Sequence, residues 1–186
     1  MVRQSWVAFL RGMNVGGHRI TNAALIQIAS DLGLGGVAAF RASGNLMFTS
    51  SGSGPDAAPE TSVEALLESG LEKALGYGVP TCVLSAGELR SALEGQPWTE
   101  QQRAERGKVQ LTFLKHLPSD AQVAQALGLA SGEDLLSIQG RALYWLPITG
   151  ISSSKLDTSA LLRILGMQTT RTEGTCRSIL KKLEAM

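Results

Sequence analysis

An α+β fold made of two similar halves is what this 186-residue sequence predicts. Three observations predict it. Apolar runs of strand length alternate with stretches of helical periodicity in the order βαββαβ through the first half. Most of that order recurs from residue 108 onward. Between the two passes lies GQPWTEQQRAERG, residues 95–107, whose polarity and proline read as a connection.

In the first half, SWVAFL (5–10) reads as a buried strand by length and apolar content. Thr21 or Asn22 can cap a helix with Leu25, Ile28, Ala29 and Leu32 at helical spacing, ending near Gly33. VAAFRA (37–42) and LMFTS (46–50) read as strands joined through Ser43-Gly44-Asn45, a separator suited to a hairpin with glycine at positive φ. Residues 51–59 are a flexible loop by composition. Thr61-x-x-Glu64 has capping-box spacing and opens a helix to about Leu75. VPTCVL is a fourth strand, and Ser85-x-x-Glu88 caps a short helix after it.

In the second half, KVQLTFL (108–114) is a strand, and Ser119-x-x-Gln122 opens a helix that stops at Gly128. LLSIQ (135–139) and ALYWLP (142–147) flank Gly140-Arg141 as a hairpin. Ser154-x-x-Asp157 is read as opening an apolar helix closed by Gly166, with Ser154 as its N-cap. MQTTR (167–171) is a short last strand, and Glu173 to Leu183 a final helix. The βαββαβ order folds most simply into a ferredoxin-like sandwich, or alpha-beta plait, with four antiparallel strands and two helices on one face. The predicted organisation is therefore a first subdomain over 1–95, a linker over 96–107 and a second subdomain over 108–186 with an extra terminal helix.

A net charge of +1 supplies no global field to draw in nucleic acid or an anionic membrane, so neither is expected as a partner. The charge is uneven, however: from Gly150 onward six basic residues face three acidic ones, a local +3. No run approaches the ~20 apolar residues of a membrane span, and the N-terminal apolar run is too short for a signal peptide, so a cytoplasmic protein is expected. Two cysteines, Cys82 and Cys176, cannot build a disulfide framework or a zinc site of the usual ligand count. Cys176, beside Arg171 and Arg177, is in the setting that lowers a thiol pKa, although core packing is the preferred reading. No metal and no cofactor is expected.

LRGMNVGG (10–17), SGN about thirty residues on, Ser154-Lys155 and TTR-x-x-x-T (169–175) together resemble the bacterial domain of unknown function 1697 family. The resemblance spans the chain and implies the same two ferredoxin-like subdomains, with no assigned reaction. Members of that family usually follow the Thr-Arg pair with Asn and Trp, where this chain has Thr172 and Glu173.

Gly12-MNVG-Gly17-His18-Arg19 is one step from the phosphate loop G-x-x-x-x-G-K-[ST], but His18 and Arg19 stand where lysine and a metal-binding hydroxyl belong. Nucleotide hydrolysis is therefore disfavoured. What remains is a glycine-rich strand-to-helix turn whose backbone N–H groups can converge on an anion; the alternative is a tight turn at Gly16-Gly17 and nothing more. The residues in the family-like motifs, Arg11, Asn14, Ser43, Asn45, Ser154, Lys155, Thr170, Arg171 and Thr175, are donors or cations with no carboxylate among them. That set suits a phosphate or carboxylate ligand rather than a carboxylate-held metal or a paired-carboxylate catalyst. Helix capping by Ser154 and Thr175, and hairpin chemistry for Ser43 and Asn45, are the competing readings. His18 lacks a local nucleophile, which argues against a catalytic triad.

With the third strand taken as parallel to the first, the 10–19 loop and the 43–45 hairpin fall at opposite ends of a sheet about 17 Å long. Arg11 and Asn14 are then expected to face Ser154-Lys155 or Arg171 in a groove between subdomains, with Gly16, Gly17 and His18 completing the site. The alternatives are single-stranded RNA binding on exposed aromatics such as Phe48 and Trp145, or a purely structural protein whose Arg11 and Arg171 hold backbone carbonyls.

Overall fold

The computed structural model describes residues 4–13, 20–41, 44–50, 60–130 and 133–186. By compactness the chain divides into two units, Met1–Arg90 with Ser178–Met186, and Ser91–Arg177. Asn14, Gly16, Gly17, His18 and Ser43, and the 51–59 loop, lie outside the described residues.

The first unit contains β1 (Gln4–Leu10), α1 (Asn22–Asp31), β2 (Gly35–Ala39), β3 (Asn45–Ser50), α2 (Glu60–Leu75), β4 (Thr81–Ser85) and the start of α3 (Ala86–Glu94). Its sheet has the order β2-β3-β1-β4, with every neighbouring pair antiparallel. This is the ferredoxin-like arrangement expected from the βαββαβ order. β1 is central and buried on both faces, which is why it reads as a continuous apolar run instead of an alternating one. Trp6, Ala8 and Leu10 face Leu25 and Ala29 of α1 and Leu67 and Leu71 of α2. Thr21 caps α1 by accepting the Ala24 N–H at 3.1 Å, and Ser85 and Glu88 exchange the two capping bonds at α3.

Glu64 takes a different part from the one its spacing suggested. Because α2 already begins at Glu60, Thr61 lies inside the helix, and Glu64 Oε1 accepts the Val83 N–H of the edge strand at 2.8 Å. One turn further along α2, Glu68 Oε1 accepts the Thr81 N–H at 2.9 Å, and Glu88 Oε2 accepts the Ser85 N–H at 2.8 Å. Residues 81, 83 and 85 are alternate positions, whose N–H groups point away from β1. Three carboxylates thus occupy the donors of an edge that is otherwise a template for pairing with another chain.

The second unit contains α4 (Glu100–Ala104), β5 (Gln110–Leu114), α5 (Asp120–Leu127), β6 (Leu135–Gln139), β7 (Ala142–Leu146), α6 (Thr158–Leu165), β8 (Gln168–Thr172) and the start of α7 (Glu173–Leu183). Its sheet order, β6-β7-β5-β8, repeats that of the first unit strand for strand. The core packs Leu143 and Trp145 of the sheet against Ala126 of α5 and Leu161 and Leu165 of α6. Ser119 and Gln122 form the expected capping box. Within the stretch read as a connection, Thr99 and Gln102 form another, which explains the short helix α4 there.

The repetition extends to hydrogen bonds. At the exit of β1, Leu10 N–H donates to Gly44 O at 2.8 Å and Arg11 N–H to Pro80 O at 2.9 Å. At the exit of β5, Leu114 N–H donates to Arg141 O at 2.9 Å and Lys115 N–H to Met167 O at 3.0 Å. Arg11 and Lys115 are therefore equivalent positions, each a cation immediately after a central strand.

Cys176 is fully buried, and burial pushes its thiol up to about 12, with Arg171 pulling in the opposite direction. Arg171 does not produce a reactive thiolate because desolvation, helped by the Glu173 carboxylate, outweighs it. Burial likewise raises Tyr144, whose hydroxyl donates to Ala92 O at 2.9 Å. The sign follows from linkage: an unfolded thiol ionises near pH ~8.5, while the folded one keeps its proton. Stability is thus fully present below about pH 8.5 and falls as pH rises toward the folded value. Urea unfolding at pH 10 should show about 2 kcal/mol less stability than at pH 7.5. A Cys176→Ala variant should lose much of that alkaline slope.

Candidate functional site

Arg11 stands half-buried where β1 ends, between the turn that closes β2 onto β3 and the segment that enters β4. The antiparallel register, with Phe9 opposite Asn45, brings the start of β3 to the exit of β1. This overturns the expectation that the 10–19 loop and the 43–45 hairpin lie at opposite ends. The third strand is antiparallel to the first, so the exit of β1 at Leu10-Arg11 and the start of β3 at Gly44-Asn45 share one end of the sheet, joined by the Leu10–Gly44 bond.

The hairpin at this end is tightly built. Gly44 has φ +69°, and a Cβ placed there would lie 2.8 Å from Leu10 O. Asn45 is fully buried; its Nδ2 donates to Phe40 O at 3.0 Å while its carbonyl accepts the Phe40 N–H at 2.9 Å. Its side chain therefore holds the turn closed, the hairpin reading for this residue. Arg41 is in the left-handed region at φ +57°, with its guanidinium 5.2 Å from the Phe40 ring centroid.

The second unit holds the remaining candidates. Ser154 donates its hydroxyl to Asp134 Oδ2 and accepts the Leu156 N–H at 3.0 Å. It does not cap α6; Asp157 does, accepting the Ala160 N–H at 2.8 Å. Asp134 is buried, so a carboxylate from twenty residues away in the chain stands beside Ser154. Lys155 is exposed. Arg171 Nη1 donates to Thr169 Oγ1 and Thr170 O, both at 2.8 Å, and Thr170 Oγ1 pairs with Thr112 Oγ1 across the β5–β8 ladder at 2.7 Å.

Thr172 and Glu173, where the resemblance implies Asn and Trp, both have structural partners. Thr172 Oγ1 accepts the Thr175 N–H at 3.2 Å and so caps α7. Glu173, buried, binds Arg103 at 2.7 Å and Arg177 at 2.6 Å. Phe48 and Trp145 are both buried in the helix-facing cores, so neither can stack a base. Among the described residues no group of three or more His, Cys, Asp or Glu side chains is placed to hold a metal, and no helix is long and apolar enough to cross a membrane.

These features define an α+β protein of two tandem ferredoxin-like units, with cations at the ends of its central strands. The chain belongs to the DUF1697 family, described as a protein of unknown function, whose family model matches residues 3–144. Its fold is shared by a conserved bacterial protein from Streptococcus pneumoniae, at 21% identity and a TM-score of 0.78, over 98% of this chain and 99% of that one. No curated protein matches the sequence.

Proposed function

We propose that this is a cytoplasmic protein that binds a small anionic ligand, bearing phosphate or carboxylate, at the end of the first unit where β1 leaves the sheet. The observation that carries the reading is that Arg11 and the start of β3 meet at one end of the sheet, tied by the 2.8 Å Leu10–Gly44 hydrogen bond. An arginine fork beside backbone N–H groups freed by glycines is a chemistry that recognises oxyanions. Asn14, Gly16, Gly17 and His18 belong to the same segment and are assigned to the ligand with Arg11. Ser154, Lys155 and Arg171 are the second unit's candidates; Ser154 bonds Asp134 and Arg171 bonds Thr169 and Thr170.

A thermal-shift screen with phosphate, pyrophosphate, nucleotides and dicarboxylates tests the reading. At least one anion should raise the unfolding temperature of the native protein by several degrees, as expected for a ligand at about a hundred times its Kd. Arg11→Ala should abolish the rise, while Lys115→Ala, the equivalent position of the second unit, should retain it. Absence of any shift, or a shift indifferent to Arg11→Ala, would count against the proposal.

A further inference from the structure

Arg41 is the one non-glycine residue at positive φ among the described residues. A side chain in that conformation is strained, and glycine would occupy it without strain. Strain retained at a surface arginine calls for a role that glycine could not fill. The conformation sets the guanidinium over Phe40, 5.2 Å from the ring centroid. The Lys182 ammonium, from the end of α7, lies 5.7 Å from the same centroid. Two exposed cations from distant parts of the chain therefore gather on one ring. Among the described residues no carboxylate pairs with either. Glu184, the acid nearest Lys182 in sequence, is engaged by Arg90 at 2.9 Å. Like charges gathered without a counter-charge repel each other and create a local positive potential, which an incoming anion would relieve. The turn that carries Phe40 and Arg41 is the one bonded to the exit of β1, so this pair stands at the same end as Arg11.

We propose that the ligand is polyanionic, of the di- or polyphosphate class, with one charged group held by Arg11 and a second by Arg41 and Lys182. This rests on the anion-binding reading and adds the ligand's class. Isothermal titration of the full chain with orthophosphate and with pyrophosphate, at matched low ionic strength, tests it. Pyrophosphate should bind at least tenfold more tightly than orthophosphate. Arg41→Gly and Lys182→Gln should each narrow that preference threefold or more, and Arg11→Ala should abolish binding of both anions. Because glycine suits the φ of residue 41, Arg41→Gly should unfold no lower than the native protein, separating lost binding from lost folding. Equal affinity of the native protein for the two anions, or a preference unchanged in either variant, would overturn the polyanion inference and leave anion binding standing. Failure of both anions to bind the native protein would overturn both.

Discussion

Gly44→Ala is expected to cost about 3 kcal/mol and to lower the unfolding temperature by about 6–12 °C. Two penalties combine at this position. The backbone has φ +69°, which costs an L-residue roughly 1–2 kcal/mol. The new Cβ would also sit 2.8 Å from Leu10 O, a backbone atom held in the central strand's ladder and unable to rotate aside. Gly12 provides the contrast. It shares a positive φ, +77°, but nothing lies within 4 Å of its Cβ position, so Gly12→Ala should cost only the conformational part, about 1 kcal/mol. Equal losses in the two variants, measured by urea unfolding, would mean that the close approach of the hairpin to β1 does not exist in solution. The candidate site would then lose its frame.

Glu64→Ala should be similarly damaging, at about 3 kcal/mol. The carboxylate is almost fully buried and accepts the N–H of Val83, itself inaccessible to water. Removing it strands a buried donor, worth about 1–3 kcal/mol, and leaves a cavity in place of the side-chain stem. Glu64→Gln keeps an acceptor oxygen and should cost less than about 1 kcal/mol. If the glutamine and alanine variants were equally unstable, the acceptor role would be wrong and packing alone would explain the residue.

The sequence disclosed whatever is encoded locally. The capping boxes at Ser85 and Ser119 and the cap at Thr21 depend on residues three positions apart, and all three form as their spacing predicts. The central strands stand out because burial on both faces removes polar alternation. Partnerships across the fold were not legible. Ser154 has the same local signature as Ser119, yet it meets the buried Asp134 just before β6, and the capping passes to Asp157. Glu64 has capping-box spacing but faces a strand nineteen residues away. The strain at Arg41 left no compositional trace, since nothing in FRAS marks a left-handed arginine. For the site, Arg11 was picked out by its motif. Its nearness to the β2–β3 turn required the strand directions, and treating β1 and β3 as parallel had put the two apart.

The central claim is that an oxyanion sits at the exit of β1 in contact with Arg11. It is tested most directly by crystals of the native protein grown with selenate or phosphate at millimolar concentration. The account predicts ordered anion density within hydrogen-bond distance of the Arg11 guanidinium, lost in Arg11→Ala crystals of the same form. Clear density for that end of the unit with no anion there, or the same anion retained in Arg11→Ala, would contradict it.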